Sequence, residues 1–125
     1  MIMHNRKTIN NQQRGMKLLT QELLKKIPPL YAQDGKGGQS IIYTKYFTPD
    51  SNWTWYVTKY DGEDTFFGLV DGYCKELGYF SLAELEELTG PMGLPIERDL
   101  RFKPQTLKEI APELFTEIDK GGDSQ

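Results

Sequence analysis

The chain has 125 residues, 15 Lys and Arg against 18 Asp and Glu for a formal net charge of −3, and 38% apolar residues. That length suits one domain with its own hydrophobic core and removes the need for disulfide or metal staples. A single Cys and a single His exclude an internal disulfide and a Cys/His zinc cluster, and no run approaches the roughly 18 apolar residues that cross a membrane.

Residues 1–15, MIMHNRKTINNQQRG, hold three of the 15 bases (Arg6, Lys7, Arg14) and none of the 18 acids, which leaves residues 16–125 at about −6. A balance of that sign disfavours non-specific binding to a phosphate backbone, whose affinity rests on clustered Lys and Arg. The same stretch lacks the apolar segment of a signal peptide, so the expected location is the cytoplasm, without membrane attachment. Its aperiodic, Asn/Gln-rich composition predicts a disordered tail, or an extension upstream of a natural start at Met16. His4 lies within it, and a Cys74–His4 nucleophile pair would require that tail to fold back onto the domain. The domain is expected over 16–120, with a frayed end over 121–125.

From Met16 the pattern sharpens. Thr20 can cap a helix carrying Leu23, Leu24 and Ile27 at helical spacing, with Leu19 and Leu24 placed as a hydrophobic staple, and Pro28-Pro29 ends it. QDGKGG (33–38) reads as a loop. Its glycines imitate a phosphate loop, but the order helix, loop, strand supplies no helix N-terminus to receive the phosphate. Ser40 to Phe47 is the first strand-like run. Three more follow, separated by Thr48-Pro49-Asp50-Ser51-Asn52, Asp61-Gly62 and Asp71-Gly72, which predicts an antiparallel meander of about four strands. Alternation in Trp53 to Tyr60 assigns Trp53, Trp55 and Val57 to one face and Thr54, Tyr56, Thr58 and Tyr60 to the other. Phe66 to Val70 and Glu76 to Phe80 complete the sheet, where Gly68 and Gly78 mark bulges or close approaches. Ser81 with Glu84 forms a capping-box signal and Phe80 with Leu85 a staple for a helix ending at Gly90-Pro91, whose Glu84, Glu86 and Glu87 read as a solvated face. A loop from Gly90 to Arg98, an extended piece at Leu100 to Phe102 and a second capping box at Thr106/Glu109 follow, with Pro112 starting a new turn or kinking the last helix. The fold class is α+β: a meander sheet with an N-terminal helix, a helix after the sheet and a short C-terminal helix.

Trp53, Trp55, Tyr56 and Tyr60 share one strand, with Tyr43, Tyr46, Phe66, Phe67, Tyr79 and Phe80 on its presumed neighbours. Core and cross-strand packing absorbs most of these rings; the remainder could stack on a ligand, an interaction worth about 1–3 kcal/mol per nucleobase. Only Lys45, Lys59 and Lys75 lie near, which favours a pocket for a nucleotide or a partner's side chain over a nucleic-acid platform. Glu97-Arg98-Asp99 follows a Gly/Pro-rich loop and reads either as a structural ion pair or, through Arg98, as a bidentate clamp for carboxylate or phosphate. The candidate binding set is therefore Trp53, Trp55, Tyr56, Tyr60, Tyr79, Glu97, Arg98 and Asp99, with no catalytic residue, cofactor or metal assigned. Asp50, Asp61, Glu63, Asp64 and Asp71 sit at turns, where Asp is favoured for backbone reasons; the competing reading is a Mg²⁺ site built from two such carboxylates.

The stretches MKLLTQELLKKIPPLY, FTPDSNWTWYVTKYD, FFGLVDGYCKELGYFSLAELEEL and GPMGLPIERDLRF together resemble a bacterial family known as domain of unknown function 2958, over about residues 16–110. Pro49 to Tyr56, Glu76 to Ser81 and Glu97 to Asp99 are its most specific pieces. The resemblance supports a domain start at Met16 and implies a context, accessory cargo of plasmids, conjugative elements and phages. On that footing the expected function is a non-enzymatic binding protein, an anti-CRISPR or anti-restriction type inhibitor that occludes a host defence protein or sequesters a small nucleotide. A small Mg²⁺-dependent hydrolase or nuclease and a single-stranded nucleic-acid-binding accessory protein are the alternatives.

Overall fold

Thr20 begins the first helix, its hydroxyl accepting from the Leu23 N–H at 3.2 Å, in a computed structural model that describes residues 17–32 and 37–115. Expectations for residues 1–15, 33–36 and 121–125 lie outside the described residues. Helix α1 (Gln21–Lys26) stops at Ile27, whose extended backbone leads into Pro28. Ile27 is buried and Leu19 and Leu23 pack on the core, whereas Leu24, assigned to the staple, is 37% exposed.

Strands β1 (Ile41–Ile42), β2 (Thr44–Phe47), β3 (Thr54–Tyr60), β4 (Thr65–Asp71) and β5 (Lys75–Ser81) run in chain order, then helix α2 (Leu82–Glu87), strands β6 (Glu97–Arg98) and β7 (Gln105–Thr106), helix α3 (Leu107–Ile110) and a 3-10 turn (Pro112–Leu114). The meander β2–β5 is antiparallel as expected, and β6 extends it to a five-stranded sheet of order β5-β4-β3-β2-β6. β1 and β7 form a separate two-stranded ladder. The fifth strand arises because residues after the Gly90–Gly93 turn return beside β2, pairing Tyr46 with Arg98 and Phe47 with Glu97.

Strict alternation fails within β3. The register shifts between Val57 and Lys59, so Val57 and Thr58 are both buried. Thr58 satisfies its hydroxyl by donating to the Phe67 carbonyl at 2.9 Å. This bulge returns Tyr60 to the face of Trp55 and Val57, opposite to the face that period 2 assigned to it. Gly68 faces the irregularity from β4, and a Cβ there would collide with the Tyr56 carbonyl. At Gly78, the other glycine read as a close approach, a Cβ would meet nothing within 4 Å.

Both faces of the sheet are covered. Leu18, Ile27, Tyr46, Trp55, Val57, Tyr60, Phe66, Leu85 and Ile96 form one core beneath the N-terminal segment and α2. Ile42, Leu69, Leu107, Ala111 and Phe115 form the other beneath the C-terminal segment. Each helix start is capped locally. Ser81 accepts from the Glu84 N–H at 3.2 Å while Asp64 receives the Ser81 hydroxyl and the Ala83 N–H, and Thr106 and Glu109 form a complete capping box. Pro112 opens the 3-10 turn rather than extending α3. Among the described residues no helix is long and apolar enough to cross a membrane.

Candidate functional site

The β2–β3 turn places the principal aromatic residue. Thr48 is its hub: its N–H donates to the Trp53 carbonyl at 3.0 Å, its hydroxyl accepts from the Trp53 N–H at 3.0 Å, and Ser51 lies 2.7 Å from the same oxygen. These bonds fix where Trp53 leaves the turn. Its ring stacks on Trp55 with centroids 6.0 Å apart and meets the edge of Tyr73 at 5.4 Å. Gly72 lies beneath the ring, where any Cβ would collide with it. The Asp71-Gly72 turn, read from sequence only as a hairpin, therefore also makes room for the indole.

A second loop forms the opposite wall. Asp50 Oδ2 accepts the Met92 N–H at 2.8 Å, and its carboxylate packs on Gly90, where a Cβ would displace it. Gly93 closes the turn with φ +86° and donates to the Gly90 carbonyl at 2.9 Å. The chain then passes through buried Ile96 into β6. Asp99 holds the following segment. Its N–H donates to the Lys45 carbonyl at 2.9 Å, its Oδ1 accepts from the Arg101 N–H at 2.9 Å, and its Oδ2 stands 3.7 Å from Lys45 Nζ. Arg98 donates from Nε to the Lys17 carbonyl at 3.0 Å, joining β6 to the N-terminal segment. Beside it the Tyr46 hydroxyl donates to the Leu18 carbonyl at 2.6 Å. Burial pushes that hydroxyl well above the ordinary tyrosine range, partly offset by the Arg98 charge.

Between these walls runs a depression in two adjoining parts. One, of about 570 Å³, is bounded by Lys45, Phe47, Trp53, Arg98, Asp99 and Arg101. The other, of about 300 Å³, is an apolar slot between Trp53, Trp55, Leu88, Pro91 and Ile96. Thr48, Ser51 and Trp53 belong to both. The larger part gathers Lys45, Arg98 and Arg101 against Glu97 and Asp99, so its charge is slightly positive in a chain of net charge −3.

Five of the eight sequence candidates meet here: Trp53, Trp55, Glu97, Arg98 and Asp99. The other three do not. Tyr60 is 6% exposed in the core, 4.7 Å from the Phe66 ring. Tyr56 belongs to the other face, against Phe102 and beneath Lys45 Nζ, and Tyr79 stands 69% exposed on β5 beside Phe67. Sequence reasoning missed Arg101, Tyr73 and the Leu88–Pro91 wall, and it used Lys45 only to count charge. Tyr73, directly after Asp-Gly, carried a local signal; Lys45 and Arg101 join the groove through the β2–β6 pairing, which no local pattern announces. The turn acids are engaged by backbone: Asp61 Oδ1 accepts the N–H groups of Glu63, Asp64 and Thr65 at 2.8–3.0 Å, which holds its carboxyl below the usual range. Among the described residues no three His, Cys, Asp or Glu side chains converge as a metal-binding group.

A family profile described as "Protein of unknown function (DUF2958)" matches residues 18–111. The chain belongs to the DUF2958 family. The DUF2958 region begins at buried Leu18 and ends at buried Ala111, so the first core, every residue of the second except Phe115, and every residue of the groove lie inside it. No curated protein and no solved structure matches the chain.

Proposed function

We propose that this DUF2958 protein is a non-enzymatic binding protein whose working surface is the Trp53 groove. The observation that carries the reading is the continuity of an apolar slot with a polar basin holding Arg98 and Arg101, joined at one tryptophan. Trp and Arg are the side chains that dominate binding energy at interfaces, and an apolar recess beside a few convergent polar groups is the usual shape of a recognition site. The turn acids support binding over hydrolysis, since Asp50, Asp61 and Asp64 already bind backbone N–H groups.

In this reading the partner inserts an apolar side chain into the slot and presents an acidic group to Arg98 and Arg101. The resemblance to mobile-element cargo supports a host defence protein as that partner, met in the cytoplasm of a bacterium. Nucleotide sequestration is the second reading, favoured by two arginines lining the same basin as an indole.

The test is capture from a bacterial lysate with the tagged full chain, its Arg101→Glu and Trp53→Ala variants, and Lys103→Ala as an exposed control outside the groove. Circular dichroism establishes that each variant folds. A stoichiometric protein held by wild type and the control but released by Arg101→Glu supports occlusion. A small molecule with that dependence, recovered on denaturation, transfers the reading to nucleotide sequestration. Capture indifferent to both groove variants would overturn it.

A further inference from the structure

We infer that β5 is a self-pairing edge, on which a second copy of the chain adds its own β5 antiparallel to join two five-stranded sheets into one. The inference is independent of the groove and rests on backbone register.

Among the described residues β5 borders only β4, across seven consecutive pairs without a register shift. The hydrogen bonds at the two ends of that pairing fix which residues bond inward. Leu82 N–H donates to the Asp64 carbonyl and Gly72 N–H to the Cys74 carbonyl, at positions directly opposite in the continued register. Bonded and non-bonded pairs alternate along an antiparallel ladder. Glu76, Gly78 and Phe80 therefore bond to β4, and Lys75, Leu77 and Tyr79 aim their N–H and C=O groups outward.

Natural sheets guard such edges with Pro, bulges, inward charges or very short strands. The opposite edge, β6, is two residues long. β5 is seven residues long, has no Pro, and carries its one Lys at the end. Its outward residues also carry exposed apolar side chains, Leu77 at 43% and Tyr79 at 69%.

Sequence and charge select a second copy as occupant. A two-fold axis through Gly78 sets Leu77 of each chain against Tyr79 of the other, as hydrogen-bonded pairs with both side chains on one face. Gly78 meets itself at the axis, where a Cβ has nothing within 4 Å inside the protomer. Lys75, which pairs with Glu113 at 2.9 Å in its own chain, then lies opposite Ser81 of the second copy, whose hydroxyl is bonded to Asp64, so the residue set against Lys75 carries no like charge. The two Glu76 side chains stand four residues apart along the strands, roughly 13 Å. A register centred on Glu76 would oppose like charges directly, which is destabilising.

The experiment is sedimentation velocity of the full chain across a concentration series, with Leu77→Lys/Tyr79→Lys and Leu77→Glu/Tyr79→Glu double variants, each alone and mixed. Expected are a wild-type mass that doubles with concentration, monomers for each variant alone, and a dimer restored on mixing the Lys and Glu chains. Amide exchange supplies the second readout: Leu77 and Tyr79 N–H groups exchange rapidly in the monomer and slow together as wild type associates. A wild type that stays monomeric up to its solubility limit overturns the inference. So does a dimer that persists in both variants, or one in which the Leu77 and Tyr79 amides stay fast.

Discussion

Replacing Gly72 by alanine would put a methyl group where the Trp53 ring lies. Gly72 is outside the left-handed region that only glycine adopts freely, so the backbone accepts alanine and the collision with the ring is the whole perturbation. Trp53 cannot retreat without leaving Trp55 and Tyr73, its partners at 6.0 and 5.4 Å. Overpacking of this kind costs about 1–3 kcal/mol. In a Trp53→Ala background the collision disappears and the sign reverses: alanine restricts the unfolded chain and stabilises by about 0.4–1 kcal/mol. The double-mutant cycle should therefore return the sum of the two effects, a coupling of about 1.4–4 kcal/mol, at the upper end for residues in contact. Urea denaturation of the four proteins gives the energies, and near-ultraviolet circular dichroism of the Trp53–Trp55 pair should weaken in Gly72→Ala alone. An unchanged urea midpoint and spectrum for Gly72→Ala, or the same cost with and without Trp53, would refute the placement of the indole on the Asp71–Gly72 turn.

Gly68→Ala should destabilise by about 3 kcal/mol or more, because its methyl meets the Tyr56 carbonyl; Gly78→Ala, its cross-strand neighbour, should stay within about 0.5 kcal/mol in the same urea titration. Tyr46→Phe removes the donor to the buried Leu18 carbonyl and should cost about 1–3 kcal/mol. The Tyr46 hydroxyl keeps its proton longer in the folded than in the unfolded chain. Its contribution is thus complete below the ordinary value of 10.0 and is lost as pH rises above it, so Tyr46→Phe should flatten the alkaline limb of a stability–pH curve. Asp61 and Glu113, held below their ordinary values by backbone N–H groups and by Lys75, act oppositely: their contribution is present above the unfolded values and is lost as acid protonates them. Asp61→Asn should shrink the acid limb measured by urea midpoints.

Turns and caps were legible because their chemistry is local. Asp61 beside Gly62 bonds its own neighbours, Ser81 and Thr106 accept N–H groups three residues on, and Pro112 cannot continue a helix. The candidate site was half legible for the same reason. Trp53 and Arg98 declared themselves by residue type and by the loops beside them, while Tyr60 was misplaced because alternation counts residues and cannot register one extra residue in a strand.

Composition, turn residues and hydrophobic period thus determined the α+β class, the meander and the two capped helices after it, since each follows from interactions within a few positions of the chain. Strand pairing decided the rest. The return of Glu97–Arg98 to β2 made the fifth strand and brought Lys45, Arg98 and Arg101 to Trp53. The bulge at Thr58 sent Tyr60 inward, and the register of β4 on β5 left Leu77 and Tyr79 at an open edge. Only the folded backbone sets such registers: the β2–β6 pairing joins segments that the chain order keeps far apart, and the bulge and the β4–β5 register depend on which peptide groups pair within a hairpin, which residue type alone does not specify.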